Sequence, residues 1–411
     1  MGHTITEKIL AHTSHITEVY PGDYIVVDVD YVMFHDSTGP LAIKGFREVK
    51  EKVFNPKKVV VVFDHFFPAP SVDAARLHKF SRDFVFEQEI TNFRCDGVCH
   101  QLLVENYVKP GDVVVGADSH TCTMGALGAF STGMGSTDIA GILATGKTWL
   151  RVPESLKLNI TGTPASGVYA KDVILKVAST LRADGALYKA IEFNGNYIKN
   201  ATVSQRLTLS NMAVELGAKN GIIEADMKTQ EYIGRKGQLF NSDSNAEYEE
   251  TFEFEIDNLE PMIACPPVVD NIKKVADIEG TRIDQALIGT CTNGRLEDIA
   301  EAASILKGRK IAKHVRLLVI PASVKILKEA QKLGYIDIIH SSGGVIMNPN
   351  CGPCVGRHAG VLDEGEVCIS TQNRNFTGRM GHPKSLIYLA SPATVAASAL
   401  QGEIVNPRKY L

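Results

Sequence analysis

The strongest constraint on the fold is a pattern that recurs five times: a short apolar run ends abruptly in a cluster of polar, reactive side chains. The runs and their clusters are residues 59–63 before Asp64-His65, 113–116 before Asp118-Ser119-His120-Thr121, 286–289 before Thr290-Cys291-Thr292-Asn293, 344–347 before Asn348-Pro349-Asn350-Cys351, and 367–370 before 372–379. They alternate with amphipathic helical patterns, which is typical of α/β architecture. Ligands of open α/β sheets bind beyond the carboxyl ends of strands, so the sequence predicts one shared cleft. A general preference of polar residues for loops explains one or two clusters, but not the whole set.

Length and composition are those of an ordinary multi-domain globular protein. The 411 residues suffice for two or three domains, and composition shifts near Pro153 and Asp277 predict domains at 1–153, 154–278 and 279–411. A net charge of −4 does not favour a nucleic-acid or membrane partner. No apolar run approaches the roughly 18 residues that span a bilayer. The first ten residues lack a signal-peptide core, so we expect a cytoplasmic protein.

Cys351 and Cys354, in the stretch Asn-Pro-Asn-Cys-Gly-Pro-Cys, resemble a redox dithiol of the thioredoxin type. That chemistry needs a compact surrounding domain, and the roughly sixty residues after the motif are too few for it. Cys291, at the end of another predicted strand, is the obvious third ligand of a metal site. A structural zinc site would require a fourth protein ligand, and no further Cys or His stands out. His358 could serve, but it lies just downstream of the motif on a predicted helix. An iron–sulfur cluster held by three thiolates leaves one iron open to act as a Lewis acid.

The other cysteines are interpreted as structural. A free cysteine commonly behaves as a small buried apolar residue, and we predict this for Cys95, Cys122, Cys265 and Cys368. Cys99 is expected nearer the site, because His100 follows it.

Residues 141–148 (GILATGKT) match the nucleotide-binding pattern G-x4-G-K-[ST], but their context argues against that function. Ser136-Thr137-Asp138 is typical of a helix start, and Ile139, Leu143 and Trp149 continue with helical spacing. The Gly-Lys-Thr would then lie within or near the end of that helix, with no strand before it.

Four motifs together identify a family. They are GADSHT, GTCTNGRLEDI, NPNCGPC and STQNRNFTGR, in this order along the chain. The sequence resembles the aconitase superfamily over essentially its whole length, in particular the separate large subunit of its two-chain isomerases. The resemblance implies three α/β domains around a central cleft, without the swivel domain. It also implies a [4Fe–4S] cluster on Cys291, Cys351 and Cys354, with one open iron that binds the carboxylate and hydroxyl of a 2-hydroxy acid.

The resemblance also assigns site residues. It implies three acid–base pairs: Asp64 with His65, His100 with Glu215, and Asp118 with His120. It further implies that six residues contact substrate or water: His35, Ser119, Asn211, Asn373, Arg374 and Arg379. Asn211 and Glu215 are four residues apart, so on a helix both would face the same way. Single-chain members usually carry Gln where this chain has His35, which favours the two-chain branch.

The family's catalytic serine and further arginines lie on the swivel domain, for which we find no room before Leu411. We therefore expect a separate small subunit that supplies the serine base and a substrate-specificity loop. The implied activity is a hydro-lyase that moves a hydroxyl between neighbouring carbons, with isopropylmalate the favoured substrate. Homoaconitate and citraconate or dimethylmalate substrates are alternatives. A cluster used for electron transfer would need a fourth thiolate to hold all of its irons, and no cysteine has the spacing for it. An iron-sensing RNA-binding role is disfavoured by the slightly acidic charge balance of the chain.

Overall fold

Parallel strands with intervening helices make up most of the chain. The computed structural model describes residues 2–411, which form two compact units. Unit 1 contains the described part of Met1–Cys95, together with Cys99–Thr161 and Asp184–Phe254. Unit 2 contains Asp96–Val98, Gly162–Ala183 and Glu255–Leu411. The division into domains at 1–153, 154–278 and 279–411 stays a prediction.

The strands of the described residues, in chain order, are β1 Tyr24–Asp28, β2 Tyr31–His35, β3 Val59–Val62, β4 Asn92–Arg94, β5 Val113–Gly116, β6 Phe130–Gly133, β7 Lys147–Arg151, β8 Ser155–Thr161, β9 Ala190–Asn194, β10 Asn220–Ile223, β11 Glu250–Glu255, β12 Met262–Ala264, β13 Ile272–Lys274, β14 Gln285–Gly289, β15 Arg316–Ile320, β16 Val345–Ile346, β17 Val367–Ser370 and β18 Leu386–Leu389.

The α-helices are α1 Ile5–Ser14, α2 Gly39–Val49, α3 Val72–Glu87, α4 Cys99–Asn106, α5 Ser136–Thr145, α6 Ala170–Leu181, α7 Asn196–Asn200, α8 Val203–Asn211, α9 Met227–Ile233, α10 Thr290–Asn293, α11 Leu296–Leu306, α12 Val324–Lys332, α13 Tyr335–Ser342 and α14 Pro392–Gln401. Short 3-10 helices occupy Pro56–Lys58, Ser119–Leu127, Met212–Leu216, Val275–Ile278, Gly352–Val355 and Pro407–Tyr410.

Unit 1 is built on a parallel five-stranded sheet in the order β4-β3-β2-β5-β6. The chain moves outward from β2 in one direction and from β5 in the other, so the strand order reverses between these two strands. Such a reversal opens a crevice at the carboxyl ends of the strands. A second sheet, in the order β10-β9-β8-β11, has β8, β9 and β10 parallel, and β1 pairs with β7 antiparallel.

Unit 2 repeats this arrangement in a seven-stranded sheet. The order is β13-β12-β18-β17-β14-β15-β16, with β14 to β18 parallel and β12 and β13 antiparallel to their neighbours. The strand order reverses between β14 and β17. A second crevice is therefore expected beyond the carboxyl ends of these two strands.

The hydrophobic patterning explains why these sheets are covered on both faces. Every residue of β3 is valine and fully buried, as expected of a parallel strand with helices on each side. In unit 1, Phe34, Phe46 and Phe84 lie in one core, and the Phe46 and Phe84 rings meet edge to face at 5.6 Å. All five predicted runs are strands, although the fourth is shortened to Val345–Ile346.

The segment that imitates a nucleotide-binding loop ends a helix instead of beginning one. Helix α5 ends at Thr145, and Gly146 closes it with φ of 74°. The predicted absence of a preceding strand is wrong, because β6 ends at Gly133. The helix begins at Ser136, within the predicted start, and Gly135 is its N-cap. Trp149 lies on β7 rather than on the helix. Since phosphates bind the N–H groups at helix amino ends, this carboxyl end does not suit them.

A buried carboxyl group makes the stability of unit 1 dependent on pH. Burial and the neighbouring Asp30 carboxylate raise the pKa of Asp112 from 3.8 to about 7. A raised carboxyl pKa gives stability that is full below the unfolded pKa and is lost as the pH rises through the folded pKa. We therefore expect this contribution, at most about 4 kcal/mol, to disappear between about pH 4 and pH 7.

Urea unfolding of the native chain and of Asp112→Asn at pH 5 and pH 8 measures this contribution. The asparagine keeps an oxygen for the backbone N–H of Lys109, which Asp112 accepts at 3.0 Å, but it cannot ionise. The variant should lose less stability than the native chain between the two pH values. Parallel losses would contradict the assignment.

Candidate active site

The crevice of unit 1 gathers the predicted acid–base residues at the point where the strand order reverses. His35 is the last residue of β2, and Asp64 and His65 follow β3. Asp118 and Ser119 follow β5, where Asp118 caps the 3-10 helix Ser119–Leu127 by accepting the N–H of His120 at 2.8 Å. The regular strands fix the positions where these polar side chains begin.

Asp118 is the centre of the network, with four histidines around it. His100 Nε2 donates to Asp118 Oδ1 at 2.9 Å, and His120 Nδ1 lies 3.5 Å from the same oxygen. His35 Nε2 and His65 Nε2 lie 3.4 and 3.6 Å from Asp118 Oδ2. The His35 and His65 rings stack at 3.7 Å between centroids. One carboxylate therefore sets the orientation of four imidazoles.

The predicted pair of Asp64 and His65 is in direct contact. His65 Nδ1 donates to Asp64 Oδ1 at 2.7 Å, and the second oxygen of Asp64 accepts the N–H of Cys99 at 2.7 Å. The expected closeness of Cys99 to these residues is thus confirmed. Asp36, not predicted as a site residue, accepts the backbone N–H groups of His65 and Phe66 at 3.0 and 2.8 Å.

His120 Nδ1 lies 3.5 Å from Asp118 Oδ1, so the implied pair of Asp118 and His120 is in contact, and the pair of His100 and Glu215 stays a prediction. Each histidine also has a second kind of partner. His100 bonds to Asp118, and His120 Nε2 donates to Glu215 Oε1 at 2.8 Å. The helix expected to carry Asn211 and Glu215 together ends at Asn211, and Glu215 lies on the 3-10 helix Met212–Leu216. Asn211 Nδ2 donates to Thr123 Oγ1 at 2.8 Å, and Ser119 is partly buried.

The environment gives His65 and His100 opposite charge states. Burial disfavours a charged His65, but the charges and hydrogen bonds of Asp64 and Asp118 outweigh burial and raise its pKa well above the ordinary value. Burial also opposes ionisation of Asp64, yet His65 brings its pKa down to about 2. In His100, burial wins over Asp118 and lowers the pKa.

These shifts define one proton donor and one neutral ring in the same network. Despite burial, His100 and the other histidines hold the pKa of Asp118 well below its usual range, so it stays anionic. His100 is neutral with its proton on Nε2, and its buried Nδ1 has no hydrogen-bond partner among residues 2–411. Paired groups whose pKa values are driven apart are typical of acid–base sites.

Cys291 lies at the crevice of unit 2, directly after β14. Thr290 adopts φ of 65°, which is strained for a β-branched residue by about 1–3 kcal/mol. The buried Arg295 holds this turn through bonds from its guanidinium to the carbonyls of Cys291 and Thr292, both at 2.8 Å. Such strain is characteristic of functional turns.

Cys351 precedes the 3-10 helix Gly352–Val355 as its N-cap, and Cys354 lies within that helix, in the same unit. Asn350 Oδ1 accepts the Gly352 N–H at 2.7 Å and tightens the turn. Gly352 has φ of 53°, and a Cβ there would lie 2.2 Å from Ile320 Cδ1, so another residue would strain the backbone and displace the Ile320 side chain. His358 is not on a helix as predicted, because bends fill residues 356–360, where Gly356 and Gly360 both have positive φ.

Polar groups from the loop after β17 contact two of these sulfurs. Asn373 Nδ2 donates to Cys291 Sγ at 3.4 Å, and an Arg379 guanidinium N–H donates to Cys354 Sγ at 3.6 Å. Arg374 is partly buried in the same loop. The loop is held by the fully buried Lys171, whose ammonium donates to the carbonyls of residues 371 and 372 at 2.8 and 2.7 Å.

The remaining cysteines follow the prediction with one exception. Cys122, Cys265 and Cys368 are buried, and burial raises the pKa of Cys368 to about 12. Cys95 is exposed, so its predicted burial is wrong. All eight cysteines lie in the described part of the chain, and none is in a disulfide.

The donor chemistry in unit 2 fits an iron–sulfur cluster. Three buried thiols project from turns of one unit, and N–H groups from Asn373 and Arg379 stabilise sulfur in the thiolate form. Hydrogen bonds of this kind to sulfur tune cluster potentials. The Thr290 hydroxyl, fully buried beside Cys291, has no hydrogen-bond partner within residues 2–411. Within residues 2–411, the groups of three or more ligand atoms that lie within 4.8 Å of one another consist of histidines and carboxylates of unit 1 and do not include Cys291, Cys351 and Cys354.

Several residues that shape these sites were not found from the sequence. Asp36 directly follows His35 at a strand end, and this position could have indicated a site residue. The same holds for Arg295, which lies inside the GTCTNGRLEDI motif. His78, whose ring donates to Asp36 at 2.9 Å, and Lys171 occur within helices. Nothing in their local sequence distinguishes them from ordinary helical residues.

Comparisons with known proteins agree with this architecture. The model of the aconitase family (aconitate hydratase) matches residues 7–276 and 268–402. A protein of Methanopyrus kandleri named 3-isopropylmalate dehydratase large subunit 1 is 51% identical, with 100% of both chains covered. The methanogen homoaconitase large subunit of Methanocaldococcus jannaschii is 48% identical, covering 98% of this chain and 99% of the relative.

A solved structure extends the likeness to three dimensions. The aconitase X of Thermococcus kodakaraensis superimposes with a TM-score of 0.54 at 15% identity, covering 96% of this chain and 94% of that one. The chain belongs to the aconitase family. The predicted aconitase-type α/β fold is confirmed, and membership implies an iron–sulfur cluster. Within residues 2–411, no helix has both the length and the apolarity required to cross a bilayer.

Proposed function

We propose that this chain is the cluster-binding large subunit of a hydro-lyase that isomerises a 2-hydroxy acid by dehydration and rehydration. The observation that carries the proposal is the Asp118 carboxylate with His100 Nε2 at 2.9 Å and His65 Nε2 at 3.6 Å, two histidines whose surroundings shift their pKa values in opposite directions. Its setting in an aconitase-family chain and its relatives named 3-isopropylmalate dehydratase large subunit favour 2-isopropylmalate as the substrate.

The charge states suit the two proton transfers that such a reaction needs. Removal of a hydroxyl from carbon requires an acid, and the raised pKa of His65 keeps a proton on Nε2 at neutral pH. Asp64 stabilises that charge from the Nδ1 side. Neutral His100 can accept a hydrogen bond or a proton at its buried Nδ1, and Glu215 orients the His120 ring through Nε2.

Cys291, Cys351 and Cys354 would hold a [4Fe–4S] cluster through three thiolates. When bound, the cluster supplies a Lewis-acidic iron without a protein ligand, which polarises a hydroxyl and a carboxylate. Asn373 and Arg379 would keep two of the sulfurs in their ligating form. Arg374 and Arg379 present guanidinium groups, whose planar geometry suits a carboxylate, and His35, Ser119 and Asn211 are proposed substrate contacts. The shared cleft that would unite these groups is part of the proposal.

The active enzyme is proposed to need a separate small subunit. The chain spans the full length of relatives whose names call them large subunits. The small subunit would supply the serine base and the loop that selects among substrates. The eight cysteines without disulfides favour a reducing compartment, and we propose the cytoplasm.

Reconstitution with and without the small subunit tests this proposal. The purified chain, with its cluster rebuilt anaerobically, is assayed on isopropylmalate, homoaconitate, citrate and citraconate by absorbance of the alkene. We expect turnover only when both subunits are present, with kcat/KM highest for isopropylmalate. Turnover by the single chain would refute the need for a partner.

The same assay separates the alternative substrates. A higher kcat/KM for homoaconitate would favour the homoaconitase function that two relatives carry in their names. A higher kcat/KM for citraconate would favour a citraconate or dimethylmalate hydro-lyase. A salt-dependent RNA mobility shift without turnover would revive the RNA-binding alternative.

A further inference from the structure

A cavity of about 510 Å³ lies in unit 1 beyond the carboxyl ends of β9 and β10. This is the edge of an α/β sheet where ligands generally bind. The candidate catalytic residues Asn211 and Glu215 precede β10, whereas the cavity is lined by Ile223, Glu224 and the residues that follow that strand. The cavity is therefore at the opposite end of β10 from the candidate acid–base residues.

The floor of the cavity is apolar and incompletely covered. Phe193, Ile198 and Ile223 are buried at its base. Met227 and Leu239 line it with 66% and 46% of their surfaces exposed. A ligand with an apolar group would remove these two side chains from water, which contributes about 25 cal/mol for each Å² buried. The volume falls in the range of small-molecule sites.

Two pairs of opposite charges lie on the cavity wall, and only one of them is closed by a direct hydrogen bond. Arg206 and Asp226 satisfy each other, because the guanidinium donates to the carboxylate at 2.6 Å and also to backbone carbonyls. The exposed Lys199 and Glu224 also line the cavity, and no ion pair within 4.0 Å joins either side chain to another residue of 2–411. Burial and the nearby Glu192 and Asp226 carboxylates raise the pKa of Glu224, whereas the Lys199 charge lowers it, so the two side chains are near neighbours. One cation and one anion without a direct hydrogen bond between them thus line the same cavity, beside its apolar floor.

We infer that this cavity is a second ligand site, which binds a small zwitterion with an apolar side chain, as in a free apolar α-amino acid. Lys199 binds the α-carboxylate, Glu224 binds the α-ammonium, and the side chain covers Met227 and Leu239. The site stands apart from the candidate acid–base residues, so its occupant is distinct from the substrate of those residues. The inference does not depend on the proposed isomerase activity.

Isothermal titration of the full chain with its small subunit tests the site. The probes are L-leucine, L-isoleucine and L-methionine, each to about 10 mM, which detects a Kd of about 1 mM or tighter. Isoamylamine lacks the carboxylate of leucine, and 4-methylpentanoate lacks its ammonium. We expect saturable binding of at least one amino acid and about tenfold weaker binding of both analogues, as for a lost charged hydrogen bond.

Matched charge variants locate the binding. Lys199→Gln and Glu224→Gln should each raise the Kd of the amino acid about tenfold or more. Lys236→Gln and Glu231→Gln, which are exposed on the same unit, should leave that Kd unchanged. Thermal unfolding of all four variants within about 2 °C of the native chain shows that folding is intact. Met227→Ser should weaken binding of the amino acid, but the amino acid should still bind more tightly than isoamylamine and 4-methylpentanoate.

Three results would overturn the inference. The first is the absence of saturable binding by every amino acid in the panel. The second is equal binding of leucine, isoamylamine and 4-methylpentanoate, which excludes recognition of a zwitterion. The third is loss of affinity between the two subunits in the Lys199 and Glu224 variants without amino-acid binding, which would make this surface a protein interface.

Discussion

Replacing Cys351 by serine is expected to remove most of the iron and sulfide from the anaerobically reconstituted chain, and with it all isomerase turnover. A serine hydroxyl is a harder and far less acidic ligand than a thiol, and a cluster with three protein thiolates has none to spare. Cys291→Ser and Cys354→Ser should behave alike. Iron and sulfide per chain, measured chemically and by EPR, report cluster loss independently of activity.

Two other cysteines provide matched controls for this experiment. Cys95 is exposed in unit 1, so Cys95→Ser should retain full iron. Cys368 is fully buried, and burial keeps its thiol protonated with a pKa of about 12, so Cys368→Ala tests buried cysteine replacement away from the proposed ligands. Native iron content in all three ligand variants would remove the cluster assignment.

Replacing Asp118 by asparagine is the second change with a large expected effect. The Asp118 carboxylate receives His100 Nε2 at 2.9 Å and lies within 3.6 Å of His35, His65 and His120. An asparagine of the same shape removes the negative charge from all four. Since loss of a positioned acid or base typically costs about 10²–10⁴-fold, we expect kcat of the two-subunit enzyme to fall by that amount.

The pH profile separates this electrostatic role from simple misfolding. Asp118 is one of the groups that raise the pKa of His65, so its neutralisation should lower that pKa. If His65 acts as the acid, the alkaline fall in kcat should then begin at a lower pH in the variant. Asp184→Asn, at an exposed position of the same unit, is the control and should leave the profile unchanged. Activity of Asp118→Asn within about threefold of the native enzyme would contradict the central role.

Much of the fold was readable from local sequence because the buried parallel strands are nearly uniform in composition. Four consecutive valines form β3, and the polar residues that follow them fall at the strand end where they were predicted. Hydrophobic burial on both faces permits few other structures for such a run. The same reasoning located the ends of β5, β14 and β17.

The predictions from local sequence were wrong where a distant contact or a single glycine determines the structure instead of the local residue pattern. Trp149 has helical spacing relative to Ile139, but Gly146 ends the helix with a positive φ and the chain continues as β7. Cys95 resembles a buried apolar residue, yet it follows the short strand β4 and is exposed. Residues such as His78 and Lys171 acquire their importance from groups that are far away in sequence.

The sequence by itself determined the α/β class, the strand ends that carry the reactive residues, and the four motifs that indicate the aconitase family. Only the tertiary structure decided which histidine bonds to which carboxylate and which of them carries a proton. The physical reason is that a motif specifies residue types at short separations, whereas a pKa depends on burial and on charges brought together from several strands. His65 and His100 are chemically identical side chains, and only their surroundings make one charged and the other neutral.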